Sequence, residues 1–398
     1  MQFSSRRQVV SSSLITLCAC FGQGVTADAL TDAIKSGKAT ADIRIRYEDV
    51  GSGDIDSDGM TIRTRLGYTT GSLNGFSAML ELEDTRDLFG IDDERSLIPD
   101  NENTEIDQGF VMYKKNDSSF KVGRQVLTLD GHRHVGHVGW RQDRQTFDAA
   151  RLKFSPLKDL TIDLSYLWKR NRINSGNGGF PDPTGTSDKL INVAYKSPLG
   201  KIVAYHYSLS KVLAFDATDT FGLSIAGSIG DEPKFHYAAE YAQQDNKTVD
   251  IDTHYNMLEL GATVSGITAK LGYELLGSDD GIENFQSPLA TVHKFNGWAD
   301  VFLGGSLFGS IDGGNGLEDT YISVAGEIAG AKILAVYHDY SSDESSSDLG
   351  SEINLQAVKK FGKHYSAGIK YADYSAEDTG GNGGKDKDIL WLWVGAQY

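Results

Sequence analysis

The segment GHRHVGHVGWRQDRQ, residues 131–145, gathers His132, His134, His137, Arg141 and Arg144 into one short stretch. Three imidazoles this close could ligate zinc. No cysteine or carboxylate stands at a matching spacing, so a metal site is not expected. The reading that uses both residue types is a loop folded into a channel, where Arg141 and Arg144 meet anions directly; the plainer alternative is a surface loop. A second set is basic. Arg44, Arg46, Arg63, Arg65, Lys121, Arg151, Lys153 and Lys169 all fall on the polar face of alternating segments and all lie in the first half of the chain. Glu48, Glu81, Glu83 and Asp163 share those faces. Stacked on neighbouring strands, such charges form either a cross-lumen network that stiffens a barrel or a track that guides anions through it.

Other patterns offer less. DIDSDG, residues 54–59, copies the first half of a calcium loop, but Arg65 stands where the bidentate glutamate belongs. Together with SSDESSSD and DDERSLIPDNENTE it predicts acidic outer loops, with loose divalent-cation binding as the most they would do. GGNGGK near Gly380 lacks the spacing of a phosphate loop and reads as a flexible outer loop. SPLATVHKFNGWADVFL places His293, Lys294, Trp298 and Asp300 in the longest link, as a short helix or plug segment at the mouth. No nucleophile–base set accompanies them, so an enzyme is not expected, and no cofactor is implied.

The elements that position these residues announce themselves by a period of two. ATADIRIRYE sets Ala41, Ile43, Ile45 and Tyr47 against Asp42, Arg44, Arg46 and Glu48; TIRTRLGYT, FSAMLELED, LTIDLSYLWK, FHYAAEYAQ, ITAKLGYELL and YSAGIKYADY repeat the scheme. The runs reach about ten residues, the span of a tilted membrane strand. Short links (GSLNG, NDS, SPLKD, SPLG, SIGDEP, SG, AG, GKH) alternate with longer polar ones at 49–59, 84–105, 130–145, 170–187, 243–252, 277–316 and 375–387, with 210–217 and 341–348 completing that set at modest length. Bacterial membrane barrels alternate short periplasmic turns with longer outer loops in this way. The sequence therefore predicts an all-β transmembrane antiparallel up-and-down barrel of about 18 strands. The final strand, DILWLWVGAQY, keeps Leu390, Leu392, Val394, Ala396 and Tyr398 on one face. It is expected to pair with the first strand, because an open sheet edge in lipid leaves backbone groups unsatisfied. Tyr398 would also serve as the terminal signal read by barrel-assembly machinery.

Composition agrees. Arg6 and Arg7, an apolar run from Val9 to Phe21 and Val25-Thr26-Ala27 have the order of a secretory signal, residues 1–27. A twin-arginine signal and a lipoprotein box around Cys18 are weaker readings of the same residues. Residues 28–37 then form a short periplasmic lead-in and 38–398 the barrel with its outer loops. Both cysteines, Cys18 and Cys20, fall in the signal, which excludes a disulfide framework and thiolate metal sites. A net charge of −17 argues against nucleic acid as a partner. Seven prolines and 45 glycines suit one sheet-rich body with many turns. The expected location is the outer membrane of a Gram-negative bacterium, among outer-membrane lipid and lipopolysaccharide.

Three stretches go beyond generic patterning: KVGRQVLTLDGHRHVGHVGWRQDRQTFDAARLKF, SPLATVHKFNGWADVFL and GLEDTYISVAGEIAGAKILAVYHDYSSD. With LTDAIKSGKATADIRIRYE they resemble the alginate-export family of outer-membrane porins, VGWRQ followed by QTFDA being the most specific part. The resemblance implies an eighteen-stranded channel for an anionic polyuronate. The function expected is diffusion of hydrophilic solutes, led by anionic saccharides such as alginate or its oligomers. A general or aromatic-acid porin is the first alternative, with a barrel enzyme or an adhesin behind it.

Overall fold

The computed structural model describes residues 27–89, 97–173, 184–212, 215–377 and 383–398. The expected signal, apart from Ala27, residues 380–382 of GGNGGK and residues 92–96 of DDERSLIPDNENTE lie outside the described residues. A helix, Ala27–Lys35, precedes the first strand, and β1 opens at Lys38. Eighteen strands then form one closed antiparallel sheet: β1(Lys38–Ser52), β2(Ile55–Thr69), β3(Phe76–Asp87), β4(Asn103–Lys115), β5(Ser118–Gln125), β6(Thr146–Leu157), β7(Leu160–Asn171), β8(Thr184–Ser197), β9(Gly200–Leu209), β10(Thr218–Ile229), β11(Lys234–Asn246), β12(Ile251–Val264), β13(Ile267–Leu276), β16(Leu317–Ile328), β17(Ala331–Ser341), β18(Asp348–Phe361), β19(Tyr365–Ser375) and β20(Lys387–Gln397). A separate two-residue hairpin, β14(Ser278–Asp279) with β15(Glu283–Asn284), lies inside the barrel wall.

Each strand pairs with its sequence neighbour, and β20 closes on β1 from Asp42↔Gln397 to Ser52↔Lys387. The chain end is tied in: Tyr398 N donates to Ala41 O at 2.9 Å, and Ala41 N to Tyr398 O at 3.1 Å. No edge is left for lipid to desolvate. All eight short links are strand-to-strand turns. At the β8–β9 turn Gly200 has φ +119°, and a Cβ there would lie 2.3 Å from Ala226 O, so only glycine fits.

The period-two faces separate as lipid and lumen require. Leu66, Leu80, Leu82, Leu223, Leu258, Leu271, Leu392 and Val394 are exposed on the outside, while Arg63, Arg65, Glu83 and Trp391 are buried inside. Tyr68, Tyr195, Tyr365 and Tyr398 stand exposed at the periplasmic ends, where amphipathic rings suit the interface.

Some outer links are shorter than expected. Residues 49–59 are mostly strand, with Ser52 opposite Ile55, and β11 and β12 similarly run to Asn246 and from Ile251. Above the membrane, acidic residues tolerate strand pairing because water solvates both faces. Asp56 and Asp58 of DIDSDG lie in β2, where alternate residues stand about 7 Å apart, and Asp54 sits in the turn before it.

Two outer links do not stay outside. Residues 126–145 and 277–316 enter the barrel and are stitched together: Gly136 N donates to Leu289 O at 2.8 Å, and Thr291 N to His132 O at 3.0 Å. Val138 N donates to Thr291 Oγ1 at 3.1 Å. A Cβ on Gly136 would lie 2.1 Å from that Oγ1, so the approach depends on glycine. Leu127, Leu129, Val135, Phe285, Leu289, Trp298, Ala299 and Phe302 from these loops pack with Tyr255, Tyr340, Tyr374 and Trp391 of the wall in one buried apolar cluster.

Candidate channel constriction

The first inward loop is held by the basic wall. Arg44 Nη2 donates to Trp140 O at 2.8 Å and to Arg141 O at 2.6 Å, while its Nε reaches Gln142 Oε1 at 2.9 Å. Arg46 donates to Trp140 O at 2.7 Å and pairs with Glu48 at 3.1 Å and with Asp100. Arg65 pairs with Glu83, lies 3.7 Å from Asp107 and donates to Gln142 O at 3.0 Å. Arg63 pairs with Asp42 at 2.5 Å. The four arginines on β1 and β2 thus share one lumenal face, and carboxylates and loop oxygens take many of their donors, while the buried Nε of Arg46 and of Arg63 has no partner among the described residues. Guanidinium forks suit both kinds of acceptor, which is how one face can anchor an irregular segment.

The remaining expected residues are more dispersed. Arg141 bridges Glu48 at 2.9 Å and Asp300 of the second loop at 3.3 Å. Arg144 pairs with Asp107 at 2.6 Å and with Glu81. Arg151 makes a forked pair with Asp163, at 2.9 and 2.6 Å. Lys153 is exposed and lies opposite Asp163 in register. Lys121 sits over the Phe110 ring at 4.3 Å, and Lys169 faces Asp148 in register.

The histidines do not converge. His132 and His137 meet edge to face at 5.2 Å, whereas His134 turns away to Glu240 at 3.0 Å between Tyr205, Tyr255 and Phe285. Burial, then His132, Arg144 and Arg65, hold His137 down at about 4. Among the described residues no His/Cys/Asp/Glu group is arranged to hold a metal ion.

A tightly packed layer where both loops meet the wall centres on Lys370, which the sequence did not single out. Lys370 of β19 is 4% exposed. Its Nζ lies 3.9 Å from the Trp298 ring centre, 4.2 Å from Trp140 and 5.4 Å from Trp391. It also donates to His293 Nε2 at 2.7 Å, and His293 Nδ1 lies 2.8 Å from Asp300 Oδ1. His293 stacks on Trp140 at 5.0 Å and 5°. A chain of polar contacts therefore runs from Lys370 through His293, Asp300, Arg141, Glu48 and Arg46 to Asp100. It crosses both loops and ties β19 to β1. Burial pushes His293 down to about 4, with Lys370 and Arg141 adding to it against the pull of Asp300. The His293 ring and Arg141 keep the buried Asp300 below the usual carboxylate range, outweighing its burial. Alternation could have found Lys370, since Ile369 points out and Lys370 in. It could equally have found Trp391 and Trp393 of LWLW. The bases read from the sequence all lie in the first half of the chain; Lys370 and Lys270, which pairs with Glu259 at 2.8 Å, add lumenal bases from the second half. Arg133 of the first inward loop, also not singled out, pairs with Glu274 at 2.5 Å between the Tyr255 and Phe295 rings.

Cavities lie on both sides of this layer. An outer one of about 350 Å³ is walled by Leu97, Pro99, Val292, Leu303, Leu307 and Phe308 and carries Arg141, Lys387 and Asp300. Among the described residues Lys387 has no carboxylate within ion-pair distance. An inner one of about 680 Å³ is lined by Tyr205, Tyr207, Tyr255 and Tyr321, with Arg133, Lys270, Glu240 and Glu259. A third, of about 670 Å³, holds Arg151, Lys153, Lys196 and Lys201 towards the periplasmic rim.

The architecture is shared with solved outer-membrane porins. Acinetobacter baumannii OccAB4 superposes with a TM-score of 0.72 at 14% identity, covering 91% of this chain and 98% of that one. Pseudomonas aeruginosa OpdK, crystallised with vanillate, gives 0.66 at 12%, covering 91% and 98%. Pseudomonas aeruginosa OccK9 gives 0.68 at 14%, covering 92% and 100%. No curated protein is significantly similar in sequence. Residues 38–175 match the alginate export family model. That stretch runs from β1 to just past β7 and includes the first inward loop with most of its anchoring arginines. The chain thus joins a closed eighteen-stranded barrel of the outer-membrane porin architecture to a match with the alginate export family over its first seven strands.

Proposed function

We propose that the barrel is a diffusion channel for small anionic organic solutes, entered from outside through the cavity between the two inward loops. The observation that carries this reading is Lys387, a cation without a carboxylate partner among the described residues, set beside Arg141 in an otherwise apolar pocket. Apolar walls with a few convergent polar groups are the usual form of a small-molecule site, and about 350 Å³ suits one ring-sized solute. A carboxylate would exchange its water for Lys387 while its ring packs on Leu303 and Phe308. Arg141 adds positive potential although its own donors are taken by Glu48 and Asp300. In a narrow lumen walled by protein such charges are weakly screened. The vanillate bound by OpdK is a solute of this kind.

Alginate oligomers are the second reading, favoured by the family match over residues 38–175. Passage of a polymer requires both loops to leave the lumen, because the layer of Trp140, His293, Trp298 and Lys370 divides outer from inner cavity. Planar-bilayer recordings separate the two. Vanillate or glucuronate should shorten open events from the outer side at concentrations where an alginate trimer does nothing; block by the trimer alone would reverse the order.

A further inference from the structure

The helix Ala27–Lys35 is amphipathic in a way the barrel does not use. Leu30 and Ile34, four residues apart, lie on one face and are 51% and 50% exposed. Asp28, Asp32 and Lys35 occupy the opposite face. The helix is nevertheless held to the barrel. Gly71 N, in the β2–β3 turn, donates to Ala33 O at 2.8 Å, and the Tyr68 hydroxyl donates to Ile34 O. Tyr68 belongs to the outward face of β2, two residues from Leu66, which is 55% exposed. The chain turns back to β1 at Gly37, where a Cβ would lie 2.1 Å from the Tyr68 oxygen. The helix end is therefore seated against the lipid-facing side of the periplasmic rim.

We propose that this helix lies on the periplasmic leaflet of the outer membrane, with Leu30 and Ile34 in the lipid and its aspartates in water. Continuity identifies the occupant: the apolar belt of β2 ends at Tyr68, and Tyr68 leads directly to the helix. A helix with one apolar and one charged face buries the former at the headgroup boundary, and a tyrosine beside it marks that depth. The docking also orders the lead-in to β1, so membrane contact and barrel closure support each other at the same corner.

Cys18 and Cys20 are the only cysteines in the chain, so single labels are readily placed once both are serine. An environment-sensitive fluorophore is attached at Leu30→Cys, Ile34→Cys or Asp32→Cys, with Leu66→Cys as the barrel reference. The barrel is reconstituted in phosphatidylethanolamine–phosphatidylglycerol vesicles carrying a shallow spin-labelled lipid. Quenching at positions 30 and 34 should approach that of the reference and exceed position 32 by roughly threefold or more. Equal quenching at 30, 34 and 32, whether all strong or all weak, would overturn the proposal. A quenched Leu66→Cys reference shows in each case that the barrel had assembled.

Discussion

The Nζ of Lys370 lies 2.7 Å from Nε2 of His293, inside a cage of three tryptophan rings contributed by the barrel wall and both inward loops. The imidazole can accept this bond only as the neutral tautomer with its proton on Nδ1, which faces Asp300. A wall residue, an inward loop and a charge relay thus meet at one ammonium group. That group ties both inward loops to the wall at this layer.

Replacing Lys370 with Met keeps the stem and removes the cation. Each desolvated cation–π contact is worth about 2 kcal/mol, so Trp140 and Trp298 lose a shared anchor. The variant should still migrate as a folded barrel on unheated gels and should show larger or more frequent openings in bilayers. Unchanged conductance would mean that the loops are held without the cage.

Acid should act through His293. Its folded pKa is depressed to about 4, below its unfolded value of about 6.5. The closed arrangement therefore has its full contribution from this residue above about 6.5 and loses it as pH falls towards 4. His137 of the first inward loop, also held at about 4, acts in the same sense, while Asp143, pushed up to about 9 by burial and by Glu83, Glu105 and Asp107, works the other way over the same range. The readout is accordingly the difference between wild type and His293→Gln. Opening should rise on acidification in the former and much less in the latter, and parallel pH profiles would exclude His293 as the titrating group.

Arg65 is a structural cation. Its side chain is 6% exposed against Glu83 and Asp107, and it also holds Gln142 O. Arg65→Gln leaves buried carboxylates uncompensated, a loss of about 3–5 kcal/mol for a broken buried pair. The temperature at which the folded form disappears from gels should fall clearly. A stable variant with altered ion preference would instead restore Arg65 to a guiding track.

On the lipid face, Leu392→Asp places a charge on the closing strand beside Tyr47 of β1. The cost should stay below the roughly 2–4 kcal/mol of a mid-plane arginine or lysine, yet lower the folded fraction in outer membranes. Deleting Tyr398, whose hydroxyl lies 2.6 Å from that of Tyr365, should act in the same direction. Normal levels of both variants would show that closure does not depend on this strand face.

The barrel was legible because alternation is a local property. Ile43 and Arg44 declare their faces without knowledge of any partner, and eight short links count the strands. The inward course of residues 131–145 was legible from its cations, which a surface loop has little reason to collect. What was not legible is pairing across distance. Nothing near Arg46 in sequence points to Asp100, nor does anything near Lys370 point to three tryptophans up to 230 positions away. Residues 49–59 misled for a related reason: acidic and glycine-rich composition describes solvation, and a hairpin above the membrane is as well solvated as a loop.

The most direct test measures the reversal potential across a salt gradient for wild type and Lys387→Gln, with vanillate and then glucuronate added on the outer side. Lys387 takes part in none of the buried ion pairs that hold the loops, so the substituted barrel should fold and conduct. Wild type should prefer anions and be blocked by either carboxylate, while Lys387→Gln should shift towards cations and lose most of the block. Cation preference in the wild type, or identical potentials and block in the two proteins, would contradict an anion path through the outer cavity.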